Sequence, residues 1–381
     1  MTGNDVAIIG GGAIGSSIAY HLASDPAFAG KVTVIERDPS YRQASSALSA
    51  SSIRLQFSTP LNIRLSRYGV EFLRQAPQTL GVDLAFKEMG YLFLADAVGE
   101  AALRANNAVQ RSEGCPVELL EPATLARRFP WIDADGLAMA SLGTANEGWF
   151  DGPSLMLGLR RAARERGAIY IPDEVVGVGR HHVDLRTRGR LESATVVIAA
   201  GAWSAEVAAM AGIALPVEAR RRSVFVFDVR KPPGSTPITI DPSGAWFRPE
   251  GRFYIAGTTP ADGNDPAGAP LEVQHQEWDE MVWPVLAARV PAFEAAKVVN
   301  AWAGYYEYNT FDQNGIVGRH PEIRSVILAT GFSGHGLQQS PAIGRAVAEL
   351  IVHGGYRTLD LLPFGYERIS ASRPIRELSV V

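Results

Sequence analysis

The sequence predicts an α/β chain in which a Rossmann-like nucleotide-binding domain is interleaved with an α+β second domain built on a mixed or antiparallel β-sheet. Three observations predict it. Short apolar runs end in glycine turns at the start, middle and end of the chain: Val6–Ile9 before Gly10, residues 196–200 before Gly201, and Val326–Thr330 before Gly331. Each turn is followed by a stretch of helical spacing, and uninterrupted apolar runs are what parallel strands covered on both faces look like. Between these segments lie stretches of another texture, rich in β-branched and aromatic residues. With 381 residues, 46% hydrophobic and 20% charged, the chain can hold two globular domains of ordinary size.

The elements follow in order. Residues 5–36 read as one βαβ unit, with strands at Val6–Ile9 and Val32–Glu36 and a helix over residues 13–23. Apolar positions 61, 65, 68, 72 and 73 share one helix face. From Lys87 the texture changes to a strand over residues 90–94 and helices over Glu100–Ser112 and 122–129. Residues 153–167 form a helix with Pro at its start and Gly past its end, followed by a strand over 169–171. Residues 224–227, 245–247, 253–255 and 301–306 read as strands of the second sheet. A helix over residues 271–289 is expected to cross it, and residues 341–353 form the last helix. Residues 263–270 are a Pro/Gly loop. The expected boundaries are 1–85, 146–216 and 312–381 for the nucleotide-binding domain, and 86–145 and 217–311 for the substrate domain.

Several classes fall away. A net charge of −4 gives no case for nucleic acid or an anionic membrane. Residues 194–217 hold one charge, Glu206, but the Gly201-Ala202-Trp203-Ser204 break makes them a strand and a short helix, not a transmembrane segment. The single Cys115 fits a reducing compartment, and the early first strand leaves no room for a targeting peptide, so a cytoplasmic location is expected. No metal motif occurs; His181 and His182, adjacent on a strand, point to opposite faces. Phe332-Ser333-Gly334 lacks the second glycine of a hydrolase elbow, because His335 occupies it. Arg220, Arg221 and Arg222, and the arginines of 186–190, read as solvated faces.

The chemistry starts at Gly10-x-Gly12-x-x-Gly15. It follows a buried strand and opens a helix, and Glu36 ends the next strand where a ribose hydroxyl needs an acceptor. Gly10 allows the tight turn, Gly12 admits a pyrophosphate, and Gly15 allows helix–strand packing. A nicotinamide enzyme would not need to return to a second Gly-rich turn at residue 331; a longer cofactor would. Residues 10–15, Glu36, Val197-Ile198-Ala199-Ala200-Gly201-Ala202-Trp203 and Gly331-Phe332-Ser333-Gly334-His335-Gly336-Leu337 together resemble the D-amino-acid-oxidase-like (DAO) family of FAD enzymes. That family includes sarcosine and glycine oxidases, dimethylglycine dehydrogenase and subunits of opine and proline dehydrogenases. Residues 302–312 and 336–341 most resemble a mitochondrial branch tied to assembly of respiratory complex I.

The resemblance implies FAD and assigns roles along nearly the whole chain. Ala13, Ile14 and Arg37 extend the first fingerprint. Ser45, Ser46, Leu48 and Ser49 would hold the pyrophosphate and run beneath the flavin; an ordinary solvated loop is the alternative. Val175 would lie on the adenine, and Ala200, Gly201 and Trp203 would line the second edge of the cofactor. Gly331, Gly334, His335, Gly336, Leu337 and Gln338 would border the flavin. His335 either shapes that turn or acts in acid–base chemistry. Arg54 falls where relatives grip a substrate carboxylate, the alternative being an exposed arginine. Tyr305 and Tyr306 are rivals for the pocket wall, with a place in the sheet core as the bland option. Gln338 stands where sarcosine-oxidase-like members have Lys, which puts its carboxylate contact in doubt.

The resemblance further implies an oxidoreductase acting on the C–N bond of a secondary amine or N-substituted amino acid. Oxidation of a 2-hydroxy acid, or a flavin-binding assembly protein with little turnover, are the rivals. The covalent Cys of relatives would fall near Tyr305, so FAD is expected to be non-covalent. Their oxygen-activating Lys would fall within residues 254–256, whereas lysines occur only at 31, 87, 231 and 297. A dehydrogenase delivering electrons to an acceptor protein or partner subunit is therefore expected.

Overall fold

The computed structural model describes residues 4–260 and 264–378. Of the expected 263–270 loop, Gly263 lies outside the described residues. Two large sheets dominate. The first has six strands in the order Ile316–Arg319, Val326–Thr330, Thr195–Ile198, Val6–Ile9, Val32–Glu36 and Ile169–Pro172. All neighbours pair in parallel except the edge strand Ile316–Arg319. Val6–Ile9, Thr195–Ile198 and Val326–Thr330 are buried at every position, as strands covered on both faces must be. The three apolar runs thus lie side by side, and their glycine turns leave from the same end of the sheet.

Helix Ala13–Ser24 packs against helices Gly152–Glu165 and Gly336–His353 over this sheet. Asp151 caps the second of these, accepting from the Ser154 N–H at 2.9 Å. The helix expected over 341–353 begins earlier, at Gly336, and runs through Pro341; a short helix, Glu367–Ser370, follows it. Pro341 cannot donate to the Leu337 carbonyl; the Ser340 hydroxyl bonds that oxygen at 2.9 Å instead.

The second sheet has eight strands, in the order Lys297–Asn309, Val217–Asp228, Phe253–Gly257, Trp246–Glu250, Ile238–Ile240, Tyr91–Ala95, Met139–Gly143 and Val117–Leu120. Only Ile238–Ile240 with Tyr91–Ala95 is a parallel pair. Phe225, Phe227, Phe247, Tyr254 and Phe293 form an aromatic core on one of its faces. The helix expected over 271–289 is shorter and broken: His275–Glu277 leads into a π turn, Trp278–Val282, then helix Trp283–Arg289. Pro284 is the physical reason, because it has no N–H to continue the ladder and its ring crowds the carbonyl four residues back.

The arginine triplet is not a solvated face. Arg222 is buried and forms a two-pronged pair with Asp265 at 2.8 and 2.9 Å. Arg221 faces Glu277 at 3.7 Å, and Arg220 pairs with Glu218. Arg186 and Arg190 are exposed ion-pair partners of Glu174 and Asp184. Among the described residues no helix is long and apolar enough to cross a membrane.

Candidate functional site: one cleft between the sheets

Two cavities lie where the glycine turns meet the second sheet. Ile14, Ser45, Ser46 and Glu307 line both, so they form one elongated cleft. The half nearer the parallel sheet is walled by Gly10, Gly12, Ala13, Glu36, Arg37, Tyr41, Val175, Ala200, Gly201 and Trp203. The other half is walled by Leu48, Ser49, Arg54, Tyr91, Arg222, Trp246, Tyr305, Tyr306 and the turn Gly334 to Gln338. Gly15 and Gly331 line neither. A side chain at Gly15 would collide with the Gly10 carbonyl, so its part is backbone packing. The Gly331 N–H donates to Glu307 at 3.1 Å.

The first half is made largely of backbone. Gly10 sits at φ +100°, and a Cβ there would collide with the Ala199 carbonyl of the neighbouring strand. The Ala13 N–H donates to Ser46 Oγ at 3.0 Å, which brings the serine segment to the head of the first helix. Glu36 accepts from the Gly11 N–H at 2.8 Å and the Asp38 N–H at 2.8 Å. Burial pushes its carboxyl above the ordinary value, against the pull of those two amides. The Arg37 guanidinium lies 4.0 Å over the Trp203 ring.

This lining leaves polar groups unsatisfied. Ser45 Oγ and the Tyr41 hydroxyl are buried without a hydrogen-bond partner, and both line this half. A buried hydroxyl without a partner costs about 1–3 kcal/mol. A pyrophosphate and sugar chain lying in the cleft would supply partners, and the glycine cradle leaves room for one. The residues present therefore fit a dinucleotide.

The second half is made of side chains. Arg54 is 3% exposed. Its guanidinium donates to the Gln56 carbonyl, approaches His335 Nε2 at 3.4 Å and stacks 4.0 Å over the Phe57 ring. Its backbone N–H donates to Gln338 Oε1 at 2.9 Å. Three residues far apart in sequence thus meet at one point. Burial draws the Arg54 pKa down, yet a guanidinium stays charged. Burial and then the Arg54 charge lower His335 to about 3, so its imidazole is neutral.

Tyr305 and Tyr306 both line this half but are held differently. The Tyr305 hydroxyl donates to the Ala269 carbonyl at 2.7 Å, and its ring meets Trp203 edge-on. Tyr306 lies beneath Arg222, 5.1 Å from ring centroid to guanidinium, and blocks any side chain at Gly334. The Arg54 and Arg222 charges both act on its hydroxyl, while burial raises its pKa.

Three buried carboxyls escaped the sequence reading. Glu147 accepts from the Leu55 N–H at 2.6 Å, the Gln56 N–H at 2.9 Å and Gln56 Nε2 at 2.8 Å, fixing the backbone just after Arg54. Burial pushes it up to about 7. Glu377 accepts from the Ser58 and Thr59 N–H groups at 2.8 and 3.0 Å and from Asn62 Nδ2 at 3.0 Å. Burial would raise its pKa, but the hydrogen bonds and the Arg54 charge hold it below the ordinary value. Glu307 accepts from Thr330 Oγ1 at 2.9 Å and from the Gly331 N–H. Its isolation in an aromatic strand is a signal that could have found it. Trp302 was also missed as a support: its indole N–H donates to the Leu48 carbonyl at 2.8 Å.

A parallel sheet whose glycine turns converge on one long cleft, facing a second sheet that closes it, defines a dinucleotide-dependent oxidoreductase. The particular family follows from comparison with known proteins: the DAO family, described as FAD dependent oxidoreductase, matches residues 5–350, and the chain belongs to it. FAD is its cofactor. FAD-dependent oxidoreductase domain-containing protein 1 of Xenopus laevis is 45% identical over 422 residues, spanning 99% of this chain and 85% of that protein. Among solved structures, L-proline dehydrogenase from P. horikoshii superposes with a TM-score of 0.86 at 28% identity, covering 97% of this chain and 99% of that one. Glycine oxidase from Geobacillus kaustophilus gives 0.81 at 26% identity, covering 95% and 97%.

Proposed function

We propose that the chain oxidises the C–N bond of a secondary amine or N-substituted amino acid, with FAD held non-covalently along the cleft. The observation that supports this best is the meeting of Arg54, His335 and Gln338 at the closed end, beside the glycine turn. Bound FAD supplies the acceptor for a hydride.

The remaining work belongs to the chain. Glu36 accepts from ribose hydroxyls, which stabilise its ionised form against burial. Residues 10–15 turn backbone N–H groups and the helix N-terminus toward the pyrophosphate. Ser45, Ser46, Leu48 and Ser49 follow the cofactor, with Val175, Ala200, Gly201, Trp203 and Arg37 at its far end. Amides of the turn Gly334 to Leu337 face the flavin ring, where charge builds on reduction.

Arg54 grips the substrate carboxylate. The Phe57 ring and the Gln56 carbonyl fix the plane of its fork, so the carboxylate can lie in one orientation only, and with it the Cα–H. Two guanidiniums and a neutral imidazole disfavour an ammonium, so the amine binds with its lone pair free. As hydride leaves the carbon, that lone pair forms the C=N bond of an iminium ion, which water outside the cleft hydrolyses to a carbonyl and a free amine, taking up the proton it releases.

We infer a dehydrogenase serving a quinone, a flavoprotein or a partner subunit. None of the four lysines is among the residues lining the cleft. Arg248 is committed to the Ala50 carbonyl at 2.7 Å and to Glu250, and His335 is neutral. No mobile cation therefore serves oxygen at the ring.

Anaerobic mixing of purified holoprotein with candidate substrates is the test. Bleaching of the flavin band by an N-substituted amino acid supports the reading. Bleaching by 2-hydroxy acids alone, or by no candidate, overturns it. Acid precipitation should leave the yellow colour in the supernatant; colour retained in the pellet refutes non-covalent binding.

A further inference from the structure

The two halves of the cleft meet at a group whose role nothing above assigns. Glu307 is the one ionisable side chain among the four residues lining both cavities; Ile14, Ser45 and Ser46 are the others. Its Oε2 is engaged by Thr330 Oγ1 and the Gly331 N–H, and the Phe332 amide also donates to the carboxyl. On its other side, Oε1 lies 3.1 Å from where a Cβ on Gly336 would stand. The carboxyl thus lies against the turn that borders the cleft, in a residue that walls both halves.

Among the described residues no cation offsets a charge there. Opposite Glu307 on the neighbouring strand is Ala219, and Arg221, opposite Tyr305, is turned to Glu277. The glycine turn offers Thr330, Gly331 and Phe332, with His335 beyond them held neutral. The head of the first helix and the serine segment offer only Ile14, Ser45 and Ser46. A pyrophosphate entering the same cleft would add like charge to a carboxylate. A carboxylic acid in that place would instead donate a hydrogen bond to a sugar-alcohol or phosphate oxygen.

We propose that Glu307 holds FAD as a neutral carboxylic acid at the midpoint of the cleft, so that the cofactor is gripped at lower pH and let go as pH rises. Burial already pushes Glu307 up to about 7 without a ligand. A bound anion raises it further, so the complex keeps a proton that the free protein loses. The affinity is then full below the free-protein value and falls by about tenfold per pH unit above it, until the value in the complex is reached. The inference rests on FAD as cofactor and not on the substrate, so a failed substrate screen leaves it standing.

The experiment dilutes holoprotein to equilibrium at a series of pH values from about 6 to about 8.5, spanning the shifted carboxyl range, and reads released flavin by its fluorescence. Wild type should show a dissociation constant that climbs steadily above neutrality. Glu307→Gln, whose amide also donates, should bind at all pH values about as wild type does at low pH. A flat wild-type curve overturns the proposal with no variant needed. A Glu307→Gln curve that keeps the wild-type slope overturns it by moving the titration elsewhere. Equal weakening of the variant at every pH overturns it in favour of a purely structural bond to the turn.

Discussion

The two halves of the cleft are built from different materials. The half nearer the parallel sheet is mostly backbone: glycine turns, a helix head and one carboxylate, centred on the first βαβ unit. The closed end is mostly side chain: Arg54, His335 and Gln338 brought together across the chain and supported by buried carboxyls. A backbone site depends on local conformation and fails when that conformation is blocked. A side-chain site depends on fixed charges and fails in graded steps as each support is removed.

The sharpest way to break this contrast is Gly10→Ala. At φ +100°, with the Ala199 carbonyl in the way, the added methyl costs several kcal/mol, of which about 1–3 is backbone strain alone. No flavin-loaded protein should be recovered on gel filtration; a yellow, monodisperse variant would show that the turn tolerates what the geometry forbids. Arg54→Lys probes the other half. It keeps the charge and loses the fork, so kcat/KM should fall about 10- to 100-fold with normal flavin content, as expected for one or two charged hydrogen bonds. Unchanged kinetics would remove Arg54 from substrate binding.

Glu36→Ala is the side-chain exception within the backbone half. Its loss should weaken FAD by about 1.5–3 kcal/mol, read as flavin released on dilution, and undiminished retention would put the ribose elsewhere. The smallest effect belongs to Glu147→Gln. Glu147 is raised from 4.5 to about 7, so wild type is most stable below the unfolded value and loses stability as pH climbs through the folded one. The variant lacks that loss. Its deficit in unfolding free energy relative to wild type, read from urea titrations, should therefore narrow by about 1 kcal/mol or more between about pH 5 and about pH 8. A constant deficit would mean that Glu147 does not titrate in this range.

The same contrast explains what the sequence disclosed. Gly10, Gly12, Gly15 and Glu36 are legible because a strand–turn–helix puts its chemistry at fixed local offsets. The helix Glu100–Ser112 was legible with its full bounds. The resemblance singled out Arg54, His335 and Gln338, but no motif says that Arg54 stacks on Phe57 three residues on. Glu147 reaches Gln56 across 91 residues and Glu377 reaches Thr59 across 318, and no pattern in one sequence encodes such pairings. Arg222 was misread because a run of three arginines looks solvated until Asp265 and Tyr306 are seen to enclose it. Pro284 was visible, but whether a proline ends a helix or is absorbed by a wider turn depends on packing around it.

The bond from Glu377 to the head of helix Pro60–Thr79 also has a consequence in time. A ribosome delivers Thr59 long before Glu377: 318 residues separate them, on the order of 15–60 s at about 5–20 residues per second. The parallel sheet waits nearly as long for its strand Val326–Thr330, which pairs with Thr195–Ile198. A nascent chain therefore carries an open, half-made cleft through almost the whole of its synthesis, and the closed end that holds Arg54 is among the last parts of the protein to be assembled.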